Sequence, residues 1–236
     1  MQQPPPGQGL AFERSGTLTS ALVGVAVAWT VTQWLVVLAA PSAVQTYQDA
    51  IVNRTPISEI STTYDLLAIP LSLIGVAAFV LTGIWLTRAR HNADRIAPDQ
   101  QRRSPVWVWL GWVVPIVSLW FPKQVVDDVW RSTVRQPDRP DTGLWWGTWI
   151  AAQVLSALAA QAFGLTGEPR AEFLEFLVLF EGLAALLTTV AVLQWIRVVR
   201  IISRAQDELA DTASRSPWDP RPGHPDNYGY PGNYPG

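Results

Sequence analysis

The residue in this sequence best placed to do chemistry is Glu181, a carboxyl inside the apolar run Phe173–Ile196. At helical rise it lies about 12 Å along that run. An ionisable group at such depth in a bilayer costs on the order of a few kcal/mol unless it is paired, protonated or hydrated, which makes it a functional candidate by default. Two readings compete. One is a proton or cation site; Glu175, the nearest other carboxyl, precedes Glu181 by six residues and falls on a different helix face. The other is a protonated carboxyl hydrogen-bonded to Gln33, Gln153 or Gln161 of neighbouring helices.

Other constellations offer less. Asp127-Asp128 would open a metal-binding diphosphate motif only with a third carboxylate at 131, where the residue is Arg131. Lys123–Asp127 and Asp127–Arg131 are opposite charges at i,i+4, so the pattern reads as the solvated face of a helix. The absence of cysteine excludes disulfides, iron–sulfur ligation and thiol nucleophiles. His91 and His224 lie in hydrophilic stretches, which leaves a membrane haem without paired ligands. No Gly-rich phosphate loop, HExxH or GxSxG is present. No enzyme is indicated, and no catalytic, cofactor or metal residue is assigned. A net charge of −2 argues against a nucleic-acid partner.

The elements that must carry Glu181 are membrane spans. Apolar residues make up 49% of the 236 and charged residues only 15%, against roughly 25% charged in soluble domains. The apolar residues are gathered into blocks. Four are long enough to cross a ~30 Å hydrocarbon core: 17–40, 66–87, 143–163 and 173–196. A polar loop from Pro41 to Asp65 follows the first. The fold class is therefore an all-α membrane protein, with a membrane domain over 17–204. The Pro-rich segment 1–16 and the Pro/Gly/Tyr-rich segment 205–236, with Tyr228, Tyr230 and Tyr234, are expected to be disordered.

A fifth block, Val106–Phe121, is shorter, rich in tryptophan and split by Pro115. After it, Val125, Val126, Val129 and Trp130 share one helical face, with Lys123, Gln124, Asp127, Asp128 and Arg131 opposite. Segment 105–131 therefore reads as a re-entrant or interfacial element. Charge placement decides against its crossing. If it does not cross, all of the 17 basic residues except Arg54 and Arg170 share one side; if it crosses, they divide almost evenly. The positive-inside rule selects four spans with both termini cytoplasmic, in a bacterial plasma membrane.

Gly111-Trp112, Pro115, Leu119-Trp120, Pro122, Gln124-Val125-Val126 and Asp128-Val129-Trp130-Arg131 form a Trp/Pro pattern, continued by Trp145-Trp146 and Trp149. On these residues the chain, from roughly Leu66 to Ile196, resembles the bacterial membrane-protein family known as domain of unknown function 4328. The resemblance implies a multi-span membrane protein and supplies no catalytic residues.

Ala152, Ser156, Ala160 and Gly164 recur every four residues and form a candidate helix-packing seam, either within the chain or between protomers. Trp145, Trp146 and Trp149 read as an interfacial anchor. The arginines at 88–103 and 197–204 would attract anionic lipid headgroups. The leading functional reading is a non-enzymatic membrane scaffold, with self-association or a cytoplasmic protein partner bound through the tails. The alternative is a small channel or proton-linked transporter using Glu181.

Overall fold

Backbone polar groups without water must bond within their own segment, and in a bilayer helices achieve this. The computed structural model describes Glu13 and residues 16–134, 142–163 and 168–214, and among these all regular structure is helical. The helices are α1 Gly16–Asn53, α2 Thr63–Ile96, α3 Trp107–Val113, α4 Phe121–Thr133, α5 Thr142–Ala160 and α6 Ala171–Ser214. Three of them, α1, α2 and α6, are long and apolar enough to cross a membrane. Helix α5, expected to be a span, has 19 residues and is diluted by three tryptophans and Gln153; it falls outside that group.

Several boundaries differ from the sequence expectation. The loop expected from Pro41 is helical as far as Asn53, with Pro41 inside α1. A mid-helix proline forfeits one backbone bond, but Ala43, Tyr47 and Ala50 continue a buried stripe beyond it, so packing holds the helix together. The tail expected from 205 begins as helix, and α6 ends at Ser214. Its continuation is pinned by Gln206, which donates to the Ala89 carbonyl (2.8 Å) and accepts from Asn92 Nδ2 (3.0 Å). The remainder of both tails lies outside the described residues, except Glu13. That residue exchanges backbone bonds of 3.1 Å with the buried Asn92 side chain.

Helix α1 packs between α2 and α6, and α5 runs along α6. One end of the bundle has a core that joins Leu22 of α1, Trp85 and Leu86 of α2, Trp145 and Trp146 of α5 and Val199 and Ile202 of α6. Val108 of α3 and Val125, Val126 and Val129 of α4 belong to the same core. The opposite end is built from Ala43, Tyr47, Ala159, Ala162, Leu174 and Leu177. Successive long helices are thus antiparallel. Helix α2 ends, and α5 begins, at the same end of the bundle.

Candidate functional site

Glu181 is 8% exposed and faces inward from α6. Its two oxygens accept separate hydrogen bonds. Gln33 Nε2 of α1 donates to Oε2 at 3.3 Å, and the Tyr64 hydroxyl of α2 donates to Oε1 at 2.8 Å. Gln33 is the one partner that the sequence reading named and the fold brings to Glu181; Gln153 and Gln161 are exposed. Glu175 is also exposed and does not join the site. Both groups around Glu181 are donors, an arrangement suited to a carboxylate, and Tyr64 can also accept if the carboxyl is protonated.

A second carboxyl lies beside this one. Asp65 closes a capping box with Thr62 at the start of α2, and its Oδ2 also accepts from the Tyr47 hydroxyl at 2.7 Å. Phe163 joins the two tyrosines, edge-on to Tyr47 at 5.3 Å and stacked on Tyr64 at 6.0 Å. Two tyrosine–carboxyl pairs therefore share one aromatic wall at the end of the bundle opposite the arginines. The sequence reading missed Tyr64, although its signal was local: a residue inside a capping box TTYD has its place on the first turn of a helix fixed.

The Trp/Pro segment is a hairpin. Phe121 and Pro122 pack beside Gly111, where an added Cβ would meet them at ordinary van der Waals distance, 3.4 Å from Phe121 Cβ. At the tip Val117 N–H bonds back to the Pro115 carbonyl over Ile116, whose φ is 68° and ψ −56°. That is the strained γ-turn geometry, rare for a β-branched residue. Trp109 lies edge-on to Phe79 of α2 at 5.7 Å and fills the space left by Gly83. Trp120 packs on Phe121 at 6.4 Å, and Trp146 Nε1 donates to the Leu119 carbonyl at 2.7 Å. Trp145 and Trp146 are buried in the core. The interfacial-anchor reading of these two is corrected: indoles this large are held by packing between α5 and α6, where Trp145 stacks on Trp195 at 4.8 Å.

Helix α4 departs furthest from expectation. Val125, Val126, Val129 and Trp130 share one face as expected, but that face packs into the protein core instead of lying along the membrane surface, and Asp128 on the supposed solvated face is fully buried too. The segment before α3 folds across it. Arg102 donates from its backbone N–H (3.1 Å) and from Nε (2.8 Å) to the Asp128 carboxylate, and Arg131 Nη2 stands 3.7 Å away. Asp127 keeps the expected partner Lys123 at 2.7 Å and also accepts from Thr142 of α5. The two adjacent carboxylates are clasps between segments.

This hairpin and clasp lie inside the stretch matched by one protein family, described as Domain of unknown function (DUF4328), which covers residues 54–204. The chain belongs to that family. No curated protein and no solved structure matches it. The DUF4328 match starts after α1, so Gln33 lies outside it whereas Tyr64 and Glu181 lie inside. The expected seam also lies within the DUF4328 region. Of its members Ala152 is buried, Ser156 half-buried and Ala160 exposed, and Gly164 lies outside the described residues. The α5 face that packs inside the fold runs instead through Trp145, Ala152 and Ala159. A strict four-residue repeat drifts about 40° per step around a helix of 3.6 residues per turn, whereas a seven-residue step nearly returns to the same face.

Proposed function

We propose that the chain is a four-span protein of a bacterial plasma membrane, with both termini cytoplasmic. Its function in this reading is that of a non-enzymatic scaffold. Exposed apolar side chains support α5 as the fourth span: Leu144, Val154 and Leu158 continue the belt formed on α6 from Phe176 to Leu193. That α6 belt is about 25 Å long, close to the ~30 Å hydrocarbon core. The hairpin is taken as re-entrant. Trp109 rests on Phe79, about 13 Å along α2 from Arg88, and Val106, Leu110, Val113, Ile116 and Leu119 turn outward.

The observation that carries the scaffold reading is the cytoplasmic end. There α3, α4 and the extended ends of α2 and α6 form one block held by buried, satisfied polar groups: Asp128, Asn92, Ser203 and Gln206. Arg88, Arg131, Arg197, Arg200 and Arg204 are exposed around it. Such a block is rigid and attractive to anionic headgroups, each arginine contributing about 1 kcal/mol. It would hold the tails for self-association or a cytoplasmic partner.

Single cysteines test the topology cleanly in a cysteine-free chain. Probes at Ser104 and Arg131 are expected to label only from inside, and probes at Glu59 and Arg170 only from outside. Labelling of 104 and 131 from opposite faces would overturn the four-span arrangement. For the scaffold role itself, crosslinking in native membranes should capture the same proteins with the full chain as with Glu181→Gln, and lose them when 215–236 is deleted. Unchanged capture after that deletion would count against the tails.

A second reading, a proton-linked transporter or channel, is favoured by the paired Tyr64–Glu181 and Tyr47–Asp65 contacts. Glu181→Gln separates the two. Glutamine can still accept from Tyr64, so under the scaffold reading stability changes by less than about 1 kcal/mol and proton flux in proteoliposomes is the same with and without the substitution. Loss of a proton flux carried by the unsubstituted protein, with the fold intact, would replace the scaffold reading.

A further inference from the structure

The outward side of α6 changes character at one level. Leu179, Leu186 and Leu193 are exposed and stand at seven-residue steps, and the next step is Arg200. On the adjoining row Leu183 and Val190 lead by the same step to Arg197 and then Arg204. A seven-residue step nearly returns to the same side of a helix. Apolar and basic residues therefore form one continuous stripe, and all three arginines on it are exposed. Arg197 lies one turn, about 6 Å, beyond Leu193, the depth at which hydrocarbon gives way to headgroups.

Elsewhere the chain pairs its cations: Arg88 with Glu13, Arg102 and Arg131 with Asp128, Lys123 with Asp127, and Arg170 with Glu172. Among the described residues, Arg197, Arg200 and Arg204 have no ion-pair partner and no side-chain hydrogen bond. Like charges three and four residues apart on a helix repel, so the stripe is held at a cost that an anion would relieve. Glu208, exposed one turn beyond Arg204 on the same side, offsets the far end. Arg197 and Arg200 remain as the uncompensated pair nearest the apolar rows.

We infer that Arg197 and Arg200 bind the phosphate of an anionic phospholipid whose acyl chains lie along the leucine rows of α6. A guanidinium meets phosphate oxygens with parallel N–H donors, and the flexible arginine stem lets the head of Arg200 reach back toward the bilayer while its methylenes stay on apolar surface. The apolar rows select a lipid as the source of the phosphate, since a soluble phosphate would make no use of them. The site rests on the headgroup attraction of the preceding reading and narrows it from a diffuse field to two residues.

The test titrates the full chain in detergent, at about physiological salt, with dioleoyl phosphatidylglycerol or dioleoyl phosphatidylcholine and counts bound lipid by native mass spectrometry. The anionic lipid should bind tighter by about fivefold for each arginine engaged, hence about 25-fold for the pair. Arg197→Gln combined with Arg200→Gln should remove that preference. Arg88→Gln combined with Arg131→Gln takes the same charge from the same end and should change it by less than about twofold, because charge that the phosphate does not touch is screened. Glycerol phosphate, the headgroup chemistry without acyl chains, should not displace the lipid at equal concentration. Equal loss from the two pairs would overturn the site and leave the diffuse attraction standing, whereas equal affinity for the two lipids would overturn both. A preference that survives loss of Arg197 and Arg200 would also sink the site, and displacement by glycerol phosphate would assign the arginines to a soluble phosphate instead.

Discussion

Asp128→Ala should lower the unfolding free energy by about 3 kcal/mol, read from denaturation in mixed micelles. The carboxylate is fully buried and accepts two hydrogen bonds from Arg102 at 3.1 and 2.8 Å. Bonds to a charged group contribute about 1.5–3 kcal/mol each. The alanine leaves the Arg102 backbone N–H without its acceptor. The Arg102 side chain is half exposed and can return its charge to water, which keeps the loss below the full sum. Arg102→Ala should cost a comparable amount for the opposite reason: the buried charge stays, with Arg131 at 3.7 Å as its remaining cation. Because the two act as a unit, the double variant should fall short of the summed losses by at least about 1 kcal/mol. Strict additivity would mean that Asp128 and Arg102 are not coupled, and the clasp would have to be abandoned.

The second large effect is steric. A Cβ at Gly83 would collide with ring atoms of Trp109, so Gly83→Ala forces the indole away from α2. Overpacking of this kind costs about 1–3 kcal/mol. Within a bilayer the loss is felt in full, because helices there associate by close packing and not by exclusion of water. Gly83→Ala should reduce thermal stability in detergent, and Trp109→Leu introduced beside it should recover at least half of the loss. A Gly83→Ala protein as stable as the parent would show that α3 is not seated on this glycine.

How much of this was legible in the residues depends on whether the cause was local. Polar groups inside apolar runs must find one another, so Gln33, Gln153 and Gln161 could be named as candidate partners of Glu181 before any fold was known, while the choice of Gln33 among them is made by helix packing. The arginine-rich connection returning to its starting end was readable for a similar reason, since charge asymmetry acts on whole segments. Asp128 was misread because helical periodicity tells which residues share a face and is silent about what covers that face; the cover, Arg102, arrives from a different segment. Trp145 and Trp146 were assigned to the headgroup level on residue preference alone. Their burial follows from Trp195, a stacking partner fifty residues away that no local pattern announces. Pro41 misled in the same way: its local effect is to break a helix, and the stripe Ala43, Tyr47, Ala50 that overrides it gains its value from α5 and α6.

The junction at Asn92 carries one more consequence. Glu13, at the end of the amino-terminal tail, and Gln206, near the end of α6, are both bonded to this one side chain, and Ser214 lies only about 12 Å further along the helix. The two terminal segments therefore start from neighbouring points on the same face. A partner with two recognition sites would make its second contact as an intramolecular event, at the millimolar effective concentrations typical of short tethers. Avidity of this kind allows two weak attachments to act as one strong one, and severing either would release both.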